Sequence, residues 1–291
     1  MAPSIRKKFG MSFRRIRIVC LLFLAFINAC RMGGDIQLSE FHQPNGVLPA
    51  TITVANWNAQ KGKDARFSED LRDLIANHKP DIFFLQEARI DLIEGQEMGG
   101  YFANSWKYPW PSVATMGVLT LSKQAPTKVR PVQSKWREFF ATTPKVSLIT
   151  EYPLSNGSSL LAVNVHLLNF ERWGTFKFRS QLDELKTSMA LHRGPIIMAG
   201  DFNTWSLKRL NLVRGLAKQL RFIEVADFPP GRVTGDLHLP FMNWLLGIQK
   251  DLVLDRIYYR GFKVHNAQVL PYKSSDHRPL LVSLTLKPTS F

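Results

Sequence analysis

The sequence predicts a single α/β domain behind a short membrane-directed segment, and three observations carry that prediction. From residue 50 onward, short β-branched or aromatic runs alternate with stretches whose apolar residues recur at helical spacing. No tandem repeat, low-complexity tract or linker divides that region, so its roughly 240 residues suit one domain. Composition, 45% hydrophobic and 21% charged, is that of an ordinary globular protein, which excludes disordered and fibrous classes.

The N-terminus is built differently. Arg6, Lys7, Lys8, Arg14, Arg15 and Arg17 precede the unbroken apolar run Ile18–Ile27. This is the layout of a signal peptide, whose apolar core is too short for a comfortable transmembrane helix. The run closes in Ile27-Asn28-Ala29-Cys30, similar to a lipoprotein signal with Cys30 as the lipidated residue; the alternative is an uncleaved anchor over Arg17 to Met32. Residues 1–34 are therefore expected to be a signal or anchor, 35–49 a linker and 50–291 the globular domain. The expected location is exported or membrane-associated. Both cysteines, Cys20 and Cys30, lie in the first segment, so neither disulfides nor cysteine-bound metal can serve the domain.

Within the domain, "ATITVANW" reads as a strand. "FSEDLRDLIANH" reads as a helix, with Phe67, Leu71, Leu74 and Ile75 on one face and Ser68 as N-cap. "PDIFFLQE", "GVLTLS", "KVSLITEY" and "LLAVNVHLL" are strands. A helix over Thr175 to Leu191 follows, with Phe178, Leu182, Leu185 and Met189 at helical spacing. "PIIMAGD" is a strand, and Ser206 caps a helix carrying Leu210, Val213, Ala217 and Leu220. "VLDRIYYRG", "KVHNAQVL" and "HRPLLVSLTL" complete the strands.

Polar residues stand where these strands end: Asn58, Glu87, Asn164, His166, Asp201, Asn203, Asp255, Asp276 and His277. Singly, each is an ordinary cap or turn residue. Together, carboxylates, carboxamides and histidines beside core runs are costly unless they pair or bind a hard cation. Oxygen ligands without cysteine suit Mg²⁺ or Mn²⁺, and a carboxylate beside a histidine suits proton management during attack of water on a phosphodiester. The chain contains no G-x-S-x-G, P-loop or H-E-x-x-H motif, which removes the serine-esterase, nucleotide-kinase and zinc-protease classes.

In order, "ANWN", "LQE", "VNVHL", "GDFN", "LDRIYY" and "SDHRPLLV" resemble the endonuclease/exonuclease/phosphatase superfamily; "GPIIMAGDFNTWS", "NVHLLNF" and "YYRGF" resemble a bacterial branch of it. The resemblance implies the DNase I-like fold, a four-layer sandwich of two mixed, mainly antiparallel sheets face to face with helices outside. It implies a divalent-metal-dependent phosphodiester hydrolase. Glu87 would be the principal metal ligand and Asn58 a helper in placing the metal. Asp201 would orient or deprotonate the attacking water, with Asn203 contacting the scissile phosphate. His277 would stabilise the phosphate or act as base, backed by Asp255. Asp276 would be a second metal-site or proton-transfer residue, and His166 would support the phosphate or leaving oxygen.

Substrate class is set elsewhere. The net charge is +15, from 38 basic and 23 acidic residues. Seven basic residues precede Asp35 with no acidic one, so the remainder carries 31 against 23, or +8. That balance favours an anionic substrate. Val132–Phe140, with Lys135, Trp136, Arg137 and Phe139, suits either a nucleic-acid surface or a strand with a solvated basic face. The stretch after His166 similarly interleaves Arg172, Lys177 and Arg179 with Trp173, Phe176 and Phe178. Leu237–Ile248 is uncharged and apolar, and suits a bilayer contact, a groove wedge or a packed helix. Nucleic acid is favoured over a phospholipid or sphingomyelin head group or an inositol phosphate, with the membrane engaged through the N-terminal segment.

Overall fold

A computed structural model describes residues 36–38, 41, 45–106, 115–138, 144–171, 174–226, 228 and 253–288. The expected signal or anchor, both cysteines and Leu237–Ile248 lie outside the described residues. No described helix is long and apolar enough to cross a membrane.

The first sheet runs β1 (Ile36–Leu38), β4 (Gly99–Trp106), β5 (Met116–Ser122), β3 (Ile82–Arg89), β2 (Thr51–Asn58), β13 (Leu280–Leu286) and β12 (Phe262–Val269). The second runs β10 (Ile223–Glu224), β11 (Asp255–Arg260), β9 (Ile196–Asp201), β8 (Ser159–His166), β7 (Pro144–Pro153) and β6 (Lys128–Arg137). Each sheet contains one parallel pair, β2 with β3 and β8 with β9, and its other pairings are antiparallel. Parallel neighbours need a crossover, and the helices α1 (Phe67–His78) and α2 (Phe176–Met189) supply it.

Alternation along the strands decides what faces what. Ile52 and Val54 of β2, Ile82 and Phe84 of β3, Ala162 of β8 and Ile197 and Ala199 of β9 point between the sheets and form one core. Trp57, Phe83 and Leu85 point outward onto Phe67, Leu71, Leu74 and Ile75 of α1. On the other side, Val163, Val165 and Met198 meet the apolar faces of α2 and α3 (Leu207–Leu220). The result is the expected four layers, helix, sheet, sheet, helix.

Three local expectations are corrected. The stretch read as linker is partly built into the fold: Ile36–Leu38 pair with Tyr101–Ala103, and Leu48 is a fully buried core residue. Ser68 does not cap α1, because the helix begins at Phe67, with Arg66 at the N-cap position and no side-chain cap. Asn164 serves the sheet contact: its Oδ1 accepts from Gln86 Nε2 (2.8 Å), and its amide donates to Leu119 O (3.0 Å) across the sandwich. Ser206 does cap α3, accepting from the Arg209 backbone N–H, a contact worth about 1 kcal/mol.

Candidate active site

The period of two that places Ile197 and Ala199 between the sheets also places Asp201 there, at the end of β9. By the same count Asn58 follows Val54, and His166 follows Ala162 and Asn164. Register then gathers them: His166 pairs with Asp201 on the parallel neighbour, and Asp201 faces Asp255 on β11. The site therefore lies where the carboxyl ends of both parallel pairs open, the position ligands take in α/β sheets.

Glu87 reaches the site by a different device. Between Leu85 and Ala88 the β3–β5 register shifts, with Leu85 opposite Leu119 and Ala88 opposite Gly117. Gln86 and Glu87 together oppose one residue, a β-bulge that frees Glu87 from the alternation. Its φ is +45°, and Asn203, Gln60 and Lys61 at the same end of the sandwich have φ of +48°, +45° and +65°. The two other described non-glycine residues with positive φ, Lys79 and Arg221, are ordinary helix C-caps. Backbone strain thus gathers at the site, where local conformation aims side chains. Gly200 lies inside β9, where a Cβ would come within 1.9 Å of Val165 O.

All eight residues proposed from the sequence are joined by direct or near contacts. Asp201 Oδ2 accepts from Asn58 Nδ2 at 3.0 Å, and its Oδ1 accepts from the Asn203 backbone N–H at 2.9 Å. The Asn203 side chain donates to Leu167 O (2.9 Å) and Asp201 Oδ2 (3.3 Å), which helps orient Asp201. Asn58 is engaged at both ends, its Oδ1 accepting from the Gln60 N–H at 3.0 Å. His166 Nε2 stands 3.8 Å from Asp201 and 3.9 Å from Glu87. His277 Nδ1 donates to Asp255 Oδ2 at 2.6 Å, and its Nε2 lies 3.9 Å from Asp276. Ser275 ties this last loop down, donating to Asn58 O at 2.7 Å, while Trp57 Nε1 donates to His277 O at 2.9 Å.

Electrostatics separate the two histidines. Burial opposes a charge on His277, but Asp255, Asp201 and Asp276 overcome it and raise its pKa to about 10. Burial, then the Lys145 and His277 cations, hold His166 well below its ordinary value, so it is neutral. Burial raises Asp201 to about 6 against the pull of His277. Burial, and the Glu87 carboxylate, also raise Asp276.

Lys145 was missed from the sequence. It is 8% exposed, and its ammonium lies 3.0 Å from His166 Nε2 and 3.8 Å from Glu138. A lysine opening a strand carries no local mark; only its burial against a histidine distinguishes it. Arg209 was missed too, 1% exposed between the rings of Phe178 and Trp205 and donating to Leu168 O and Asn203 O. Phe178, grouped in the sequence with surface aromatics, is fully buried beneath it. Phe139, Arg172 and Trp173 lie outside the described residues.

Among the described residues no three His, Cys, Asp or Glu side chains are grouped to hold a metal ion by themselves. The donors nonetheless fit a hard dication that keeps most of its waters: Glu87 and Asp276 are two partly exposed carboxylates, and the Glu87 charge is near enough to raise the pKa of Asp276.

Fold and site together define a hydrolase with the DNase I-like architecture. The chain belongs to the Endonuclease/Exonuclease/phosphatase family, whose model matches residues 55–277. That family spans nucleases, phosphatases and phosphodiesterases, and its enzymes typically use divalent metals. A UPF0294 protein of Vibrio campbellii is 31% identical over 255 residues, covering 87% of this chain and 84% of its own. Among solved structures, an endonuclease/exonuclease/phosphatase family protein from Leptotrichia buccalis superposes with a TM-score of 0.61 at 14% identity, covering 81% of this chain and all of its own. A mannosyl-6-phosphatase from Bacteroides thetaiotaomicron gives 0.58 at 16%, again over 81% of this chain and all of its own. At such identities these two likenesses show the fold.

Proposed function

We propose that this chain is a divalent-metal-dependent phosphodiester hydrolase acting on nucleic acid. The observation that carries the reading is the pairing of an imidazolium, His277 backed by Asp255, with the raised carboxylate of Asp201 in one buried site. Mg²⁺ or Mn²⁺ held by Glu87 and Asp276, with Asn58 beside them, would supply positive charge against the phosphate oxygens. Asp201, oriented by Asn58 and Asn203, takes the proton of the attacking water as its oxygen bonds to phosphorus. The opposite P–O bond breaks, and solvent protonates the leaving oxygen. His277 Nε2–H, and Lys145 beside neutral His166, meet the charge that grows on the phosphoryl and leaving oxygens. The basic balance from Asp35 onward supports a polyanionic substrate. The phospholipid alternative rests on Leu237–Ile248 and on the N-terminal membrane segment, both outside the described residues. The reading includes export across, or attachment to, a membrane through residues 1–34, with Cys30 as a candidate lipid site.

The test is turnover by the full chain of DNA, RNA, inositol phosphate and phospholipid vesicles in Mg²⁺ and in EDTA. Glu87→Ala and His277→Ala should each lower polynucleotide hydrolysis by about 10²-fold or more. Full activity in both variants, or turnover of vesicles with none of polynucleotides, would overturn the proposal.

A further inference from the structure

Two large rings lie in water where β6 meets α2. Trp136 on β6 is 37% exposed and Phe176, the first residue of α2, 65%. They meet edge to face, centroids 5.3 Å apart and planes at 70°. Lys177 Nζ lies 6.0 Å over the Trp136 ring and is held there by donating to Arg137 O at 2.9 Å. The turn that presents Phe176 is fixed as well, since Glu171 accepts from the backbone N–H groups of Lys177 (2.8 Å) and Phe178 (3.2 Å). Exposed rings pinned by a cation and a tied helix start form a prepared surface, at little ordering cost to a ligand.

Its position links it to the chemistry. The β6–β7 register shifts between Gln133, opposite Val146, and Arg137, opposite Pro144, so Ser134–Trp136 bulge across from Lys145. Neighbouring strands lie about 4.8 Å apart, and the Lys145 ammonium is itself 3.0 Å from His166. Trp136 is thus one strand removed from the residue that would meet the scissile phosphate. A cleft that Phe176 helps to line carries Lys135 and Arg179 with Asp183 and Glu184. Balanced charge of that kind suits the donor and acceptor edge of a base, while Lys177 beside Trp136 and Lys145 beside His166 suit backbone phosphates.

We propose that Trp136 and Phe176 form a stacking subsite for a base of a single-stranded polynucleotide, next to the scissile phosphate. This rests on the nucleic-acid reading above and specifies the strand form. Every base offers a π-face to an aromatic ring, but in a duplex those faces are already covered by neighbours.

The probe is a fluorescein-labelled twelve-residue oligothymidylate, titrated with the full chain in EDTA and read by anisotropy. Trp136→Ala/Phe176→Ala should weaken binding by about tenfold or more. Trp136→Phe/Phe176→Tyr, which keeps both rings, should restore it. An abasic strand of the same length should bind wild type and alanine variant alike. Circular dichroism and thermal unfolding of the alanine variant should match the wild type, which reports its folding. Wild-type affinity in the alanine variant, an equal loss with the abasic strand, or a loss confined to phosphatidylglycerol vesicles would overturn the subsite while leaving the hydrolase reading standing. Failure of the wild-type chain to bind or cleave any polynucleotide would overturn the nucleic-acid reading, and the subsite with it.

Discussion

Asp255→Asn removes one charge from the site and leaves an oxygen able to accept from His277 Nδ1, a bond of 2.6 Å in the parent. Asp255 is the foremost of the carboxylates that hold His277 near 10 against its burial. Without it, burial regains the upper hand and the imidazole should titrate at or below its ordinary 6.5. The fall, about three units or more, corresponds to roughly 4–5 kcal/mol of lost preference for the charged form. At pH 8 the imidazolium fraction would drop from near unity to about 3% or less, so kcat/KM should fall about thirtyfold or more. The sign in pH follows from which form works. Parent activity should rise as Asp201 loses its proton through about pH 6 and fall as His277 loses its own through about pH 10. In the variant the falling limb moves to about pH 6.5 or below and overlaps the rising one, leaving a narrow, low maximum. Stability carries the same signature: the raised His277 pKa contributes stability that is complete below pH 6.5 and lost as pH rises through 10, and the variant should lack that dependence. A pH–rate profile, paired with an NMR titration of the His277 imidazole nitrogens, reads both. An imidazole still titrating above pH 9, or an unmoved alkaline limb, would refute the reasoning.

Other expectations follow from single contacts. Lys145→Met removes the cation 3.0 Å from His166 Nε2; kcat should fall about tenfold or more, with Lys145→Arg recovering part of it, and single-turnover kinetics that match the parent would exclude a role for the charge. Gly200→Ala places a Cβ 1.9 Å from Val165 O, against backbone that cannot move without parting β8 from β9. Destabilisation of about 3 kcal/mol or more is expected in urea unfolding, and a variant as stable as the parent would show that the strand pair tolerates the shift.

What was legible in the sequence, and what was not, follows from where each preference is set. Asp201 could be found because strand alternation and an apolar run are local: Ile197 and Ala199 dictate which way residue 201 points. Strand β4 was missed because Gly99-Gly100 reads as a break, although a Cβ at Gly100 would lie 2.6 Å from Leu121 and the glycine is what lets β5 pack there. The same blindness hid β1, three residues that are strand only because Tyr101–Ala103 accept them as a neighbour. Lys145 and Arg209 were invisible for a related reason, since a basic side chain is normally solvated and nothing local says that a histidine or two rings will enclose it. Asn164 misled in the opposite direction. It stood among the strand-end polar residues, yet its partners Gln86, Leu85 O, Leu119 O and Thr120 all come from the other sheet. Such a residue is satisfied by sheet packing, fully buried between the two sheets. That criterion separates Asn164 from Glu87 and Asp276. Their nearest positive groups, Lys61 for one and His277 for the other, each stand 3.9 Å away, and their carboxylates open toward solvent.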